Sequence, residues 1–454
     1  MTNYSLKPTD ENALGLLKTD PIGRNKYIRR FIQMLTRMED DCYTVALNGD
    51  WGSGKTFFVK QIKMILDAYN SQSNMAAGQR TAVQQCYGDA SCPNSYATVY
   101  YDAWAFDNHD DPILSLVYAA LKSGCGEEPE GKKNSIIETA VRVIDVIKGT
   151  NLTEIYEAFK NQQPEKLTAE IEKTEDLKDS IRAFIDTLIQ EKGNRLIIFI
   201  DELDRCKPDY AIRLLERIKH YFDDERITFV FSVNLNQLQW TVKAYYGNSF
   251  DATGYLEKFF DISFTIPPVD YRRFLWERLH LDMDSITAQV CLAVIKQFHF
   301  SMRQMERYIR VMKIIGMSGA CENAISRDNM ATAFVGEYVM PILIGLQMHD
   351  LDVYRDFRTG KDCTPLTDIL TSPDIPKCRF LISGKEVFIE DNNVRTQKGS
   401  GYVTVKERLE NTYDALFLKT ERVDVGQMTF SGRTRAYLYE TESILIPNGN
   451  FDFE

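Results

Sequence analysis

The 454-residue chain lacks any long uncharged apolar run. Its best candidates, Leu196–Ile200, Thr228–Val233 and Val339–Met348, fall short of the roughly 18 residues a membrane span needs and are expected to be core elements. The opening residues, MTNYSLKPTDENALGLL, lack the basic start and apolar stretch of a secretion signal, so a cytoplasmic location is expected. Cysteine is scarce and odd in number: nine residues, scattered from Cys42 to Cys378, which excludes a disulfide-stapled scaffold and favours free thiols. Cys86 and Cys92, in CYGDASC, are too widely spaced for a zinc knuckle and have no second Cys/His pair nearby. That stretch reads as a polar loop. An excess of basic charge is also missing. The net charge of −11 gives no bulk attraction to nucleic acid or to anionic membrane. Only local patches, around Arg272–Arg273 or Arg303–Arg310, leave nucleic acid as a partner.

What is present is a core. Hydrophobic residues make up 44% and charged residues 26%, and the length predicts two or three domains. Residues 43–56 read YTVALNGDWGSGKT. The apolar, β-branched start predicts a buried parallel strand. It runs into Gly49, Gly52, Ser53, Gly54, Lys55 and Thr56 at the spacing G-x-x-x-x-G-K-[ST]. Glycines let the backbone curl until its N–H groups point at phosphate oxygens, Lys55 reaches the β- and γ-phosphates, and the Thr56 hydroxyl binds Mg²⁺. Phe57 opens FFVKQIKMILDAY, a helix whose positive end faces the same anion, and joins the nucleotide-binding set. Strand, glycine turn and helix in sequence set this motif apart from a chance glycine turn.

Residues 195–202, RLIIFIDE, form a second apolar run that ends on two carboxylates. Asp201 is placed to hold Mg²⁺ and Glu202 to take a proton from water as general base. An acidic helix cap at Asp201 or Asp204 is the structural alternative. A third run, RITFVFSVN, ends at Asn234, which either senses the γ-phosphate or caps the next helix, or does both. A fourth strand at Asp261–Ile266 stops at Pro267-Pro268. Helical periodicity follows to about residue 339. Within it Met302, Met305, Tyr308 and Ile309 share one face and Arg303, Arg307 and Arg310 the other. The arginines read as a solvated face, or Arg303 as a second sensor whose guanidinium fork suits phosphate oxygens.

DPIGR at 20–24, GDWGSGKT, YDAWAFD at 101–107, DELDRC at 201–206 and YLEKFF at 255–260 together resemble the KAP family of P-loop NTPases over about residues 19–315. The resemblance implies an α/β fold: an additional-strand, RecA/AAA-like parallel sheet flanked by helices, with a helical lid. It adds Arg24 to the nucleotide-binding residues. It implies ATP or GTP with Mg²⁺ as cofactors and hydrolysis driving a conformational switch or an assembly. Family members often carry transmembrane helices between the two nucleotide motifs, which this chain lacks. It is closer to soluble bacterial members, several of them similar to antiviral or plasmid-exclusion factors.

The expected organisation is an arm at 1–18, the core at 19–266 with a helical insertion at about 105–190, a lid at 267–350, and a mixed α+β region at 351–454. In that last region RFLISGKEVFIED, GYVTVKERL and RAYLYETESILIP read as strands. It shows no catalytic constellation and is expected to bind a partner protein or a second copy. Arg205 and Lys258, each just after a strand end, are candidate arginine-finger positions or ordinary ion-pairing residues. A small-molecule or nucleotide kinase shares the phosphate loop. It would not need Glu202 directly after Asp201, and no acceptor pocket is legible.

Overall fold

A computed structural model describes residues 7–443, apart from 39–40, 89–91, 94, 110, 125–133, 150–163, 268, 280–284, 316–326, 373–374, 376–386, 391–392, 399–400 and 404. The chain divides into two compact units, Met1–Pro268 and Val269–Glu454.

In the first unit the apolar runs become β1 (Tyr43–Asn48), β2 (Tyr96–Asp102), β3 (Arg195–Asp201), β4 (Ile227–Val233) and β5 (Ile262–Thr265). They pair in parallel in the order β2-β3-β4-β1-β5. Every residue of β3 and β4 is buried, as a sheet covered on both faces requires. β4 lies between the strand that enters the phosphate loop and the strand that ends in the carboxylates. That placement is the additional strand. Parallel strands share one polarity, so their carboxyl ends deliver Asn48, Asp102, Asp201 and Asn234 to one edge, where open α/β sheets bind ligands.

One face of the sheet is covered by α1 (Asp10–Thr19), α2 (Asn25–Leu35) and α3 (Lys55–Tyr69). Phe31, Phe58 and Phe264 meet there, with Phe31–Phe264 edge to face at 5.0 Å and Phe58–Phe264 stacked at 6.3 Å. Phe58→Ala should cost about 3–5 kcal/mol. The check is a lower urea midpoint with an unchanged m-value. Of the residues expected to form an arm, 10–18 belong to this core. They fold as α1, whose Ala13 and Leu17 are buried beside Phe58 and Ile62. Apolar side chains four apart form a helix stripe, and the stripe needs cover. The polar stretch before β2 also contains a helix, Ala77–Tyr87, which carries Cys86. The other face is covered by helices that include Pro112–Gly124, Asn134–Gly149, Pro164–Lys192 and Pro208–Tyr221.

The second unit begins with helices Tyr271–Leu279, Ile286–Gln297 and Met302–Ile314. Helix Met330–His349 is long and apolar enough to cross a membrane, and 72% of its apolar window is buried within the fold. It contains Val339–Met348 and a π turn at Val335–Val339. Further on, strands Val387–Glu390, Asn393–Lys398 and Gly401–Val403 form an antiparallel sheet. Two stretches expected as strands are helices instead. VKERL opens Val405–Phe417, and RAYLYETES lies in Gly432–Ser443. Tyr437 and Tyr439 alternate like a strand, but the buried set Thr434, Leu438 and Thr441 follows a helical period. Arg435 fixes the outcome by donating to the carbonyls of Ala415, Thr420 and Glu421 at 2.8–2.9 Å. Residues 379–386 of the first expected strand lie outside the described residues.

Candidate functional site

The phosphate loop is built by backbone geometry that only glycine adopts without strain. Gly52 and Gly54 have φ of 76° and 87°, in the left-handed region. Gly49 meets a different demand. A Cβ there would sit 2.3 Å from Ile266 Cγ2 and 3.0 Å from Ser53 Oγ. The Ser53 hydroxyl is buried in the loop with no hydrogen-bond partner among the described residues. Lys55, at the start of α3, folds back so that its ammonium donates to the carbonyls of Gly49 (2.6 Å) and Asp50 (3.2 Å). Burial lowers its pKa, and the charges of Asp204, Asp201 and Glu202 oppose that shift. Those carboxylates therefore lie within electrostatic reach of the loop. Thr56 is half-buried in the first turn of α3. Phe57 is half-buried, its side chain packed against the core.

Asp201 ends β3 with 1% of its surface exposed. Its Oδ2 accepts from the Tyr100 hydroxyl at 2.9 Å, and Lys60 lies over the Tyr100 ring at 5.0 Å. Burial and the Asp201 charge hold the Tyr100 phenol well above its ordinary pKa, so it is a donor here. In the ladder Asp201 pairs with Asp102 of β2 and Ser232 of β4, and the buried Ser232 hydroxyl has no hydrogen-bond partner among the described residues.

Glu202 has φ 62° and ψ 22°, a left-handed conformation costly for a residue with a side chain. Such strain persists where the surroundings over-determine it, and functional sites are its usual home. Burial first, and then the neighbouring Asp201, push the Glu202 carboxyl up to about 7. Arg205 works the other way, through an ion pair of 2.5 Å between its Nε and Glu202 Oε2.

Asn234 caps helix Leu235–Tyr246 by accepting from Gln237 N at 3.2 Å, and its amide reaches Asp50 Oδ1 at 3.4 Å. Cap and loop contact occur together. Arg24 is 3% exposed and donates to the carbonyls of Ser53 (2.7 Å) and Pro267 (2.8 Å). Its guanidinium braces the phosphate loop against the segment after β5. Lys258 is exposed after the helical turn Ala252–Leu256. Arg303 is exposed in the first turn of helix Met302–Ile314 in the second unit, behind a Ser301–Gln304 capping box. The buried face of that helix includes Met302, Met305, Tyr308 and Ile309.

A family model described as the KAP family P-loop domain matches residues 24–318. The chain belongs to the KAP P-loop family. No curated protein matches the sequence. The matched range begins at Arg24, the last residue of DPIGR, and extends past Arg303. Membership places the chain in a nucleotide-binding and nucleotide-hydrolysing class, whose domains generally take nucleotide with Mg²⁺. The KAP site of this chain fits such a ligand. Its buried Ser53 hydroxyl lacks a partner among the described residues, its loop excludes a Cβ at Gly49, and its lysine faces the loop within electrostatic reach of a buried aspartate. Thr56 and Asp201 are the oxygen donors suited to a hard cation.

Tyr100, Trp51 and Trp104 lie against these candidate residues and were not singled out in the sequence, while Asp204 was read there only as a helix cap. Trp51 lies inside the loop, and its indole N–H donates to the buried Asp204 at 2.6 Å. The period-two pattern of β2 would have identified Tyr100 once β2 was known to pair with β3.

Proposed function

We propose that the first unit hydrolyses a nucleoside triphosphate, ATP or GTP, and that turnover switches the conformation of the chain. One observation supports this most strongly: a buried aspartate and a strained, proton-avid glutamate sit in sequence within electrostatic reach of the phosphate-loop lysine. In this reading the loop N–H groups and Lys55 bind the phosphates. Thr56 and Asp201 would hold Mg²⁺, which when bound supplies positive charge against the phosphate oxygens. Tyr100 keeps Asp201 aimed by donating to one of its oxygens. Glu202 accepts the proton of the attacking water, and Asn234 helps to orient that water. Arg24 acts indirectly, by holding the Ser53 carbonyl so that the loop keeps its curl.

Arg303 is the proposed sensor that couples bound nucleotide to the helices after residue 267. Arg303→Ala should leave nucleotide affinity within about threefold, since one charge-assisted contact divides its effect between binding and closure. Nucleotide-dependent protection of residues 271–339 from protease should be lost. Equal protection in wild type and variant would reduce Arg303 to a solvated side chain. From the family resemblance we also propose that the switch serves antiviral defence in the cytoplasm. It would act as a homo-oligomer, or with a partner protein, through residues 351–454. Sizing the purified chain with and without a slowly hydrolysed nucleotide analogue tests the assembly.

A further inference from the structure

Glu202 is already engaged. Arg205 holds its Oε2 at 2.5 Å, and each of the two side chains is 22% exposed. A carboxylate oxygen held by a guanidinium is turned to that partner and is not free to meet a water molecule. Arg205 is itself held. Its guanidinium carbon lies 6.0 Å from the Trp51 ring centre and 5.5 Å from that of Trp104, the range of cation–π attraction. The two indoles reach it from different parts of the site. Trp51 belongs to the phosphate loop and is anchored by its N–H to Asp204. Trp104 opens the short helical turn just after β2, where Asp102 Oδ1 accepts from Ala105 N at 3.2 Å. The rings are 46% and 53% exposed, so the clamp sits at the rim and has room to open. The residue that touches phosphate-loop geometry and the residue that restrains the base are thus joined through one side chain.

We propose that Arg205 is a positioning residue that restrains Glu202, and that Trp51 and Trp104 form the clamp setting that restraint. A shift of the loop at Trp51, or of the β2 end at Trp104, loosens Arg205 and frees the Glu202 carboxylate to turn to the attacking water. The inference rests on the reading of Glu202 as the base. Arg205 does not act on the phosphoryl group in this account.

The test uses the full chain with Mg²⁺ and ATP, comparing wild type, Arg205→Gln, Trp104→Leu, Glu202→Gln and the double variant Glu202→Gln/Arg205→Gln. ATP affinity and single-turnover hydrolysis are measured separately. Loss of a partly exposed pair predicts hydrolysis about fivefold faster in Arg205→Gln, with affinity within about threefold. Trp104→Leu should move in the same direction, and because its ring is half exposed it carries the test if Arg205→Gln does not fold. The double variant should be no faster than Glu202→Gln, a dependence that a merely structural arginine would not show. Slower hydrolysis in Arg205→Gln with affinity intact would overturn the proposal and make Arg205 a phosphoryl-directed arginine. Unchanged hydrolysis in both single variants would overturn it too. A Glu202→Gln variant as active as wild type would instead overturn the role of Glu202 itself.

Discussion

Lys55→Ala is expected to weaken nucleotide binding by about 10- to 100-fold or more, the effect of losing a charge-assisted contact worth roughly 1.5–3 kcal/mol. The ammonium is held close to the loop by Gly49 and Asp50, and burial disfavours its charge, so it stands ready to exchange carbonyls for phosphate oxygens. Removing it deletes the cation and leaves the carboxylates of Asp201, Glu202 and Asp204 uncompensated beside an incoming anion. The fold should survive, because α3 is fixed by Phe58, Val59, Ile62 and Ile65 rather than by Lys55. Titration calorimetry checks the affinity, and an unfolding curve on the same sample checks the fold. Wild-type affinity in a folded variant would mean that the phosphate loop is not the nucleotide site.

Glu202→Gln is expected to keep binding and to slow hydrolysis by about 10²- to 10⁴-fold, the usual contribution of a positioned general base. Glutamine preserves the shape and removes the proton acceptor. It also breaks the ion pair with Arg205, which is partly exposed and contributes little to stability. Any large loss of rate is therefore a loss of chemistry. Rapid-quench measurement at saturating nucleotide separates it from a change in affinity. Unchanged turnover accompanied by phosphate transfer to a small acceptor would favour a kinase.

The parts of the site legible in the sequence are those the chain encodes locally. Gly49 to Thr56 lie within one strand–turn–helix, and the apolar run of β3 ends directly on Asp201. Fold class was implied by the family resemblance, and the same runs agree with it, each reading as a buried strand of a parallel sheet. The unread contacts join residues far apart in the chain. Arg24 reaches a carbonyl 243 residues away, Trp51 an aspartate 153 away, and Tyr100 an aspartate 101 away. No local pattern announces such partners. The misread helix Gly432–Ser443 has the same origin. Its tyrosines alternate, while the bonds that settle its conformation come from Arg435 to carbonyls 14–20 residues earlier. Residues 10–19 looked peripheral because the apolar residues that cover α1 lie later in the chain, on α3 and β1.

The most direct test of a hydrolytic site in the first unit follows the label of a γ-labelled nucleoside triphosphate through one turnover of the purified chain with Mg²⁺. The account predicts that the label leaves as inorganic phosphate in wild type, that Glu202→Gln holds the intact nucleotide, and that Lys55→Ala does neither. Label appearing on an acceptor molecule, or wild-type protein that binds the nucleotide and never cleaves it, would contradict the account.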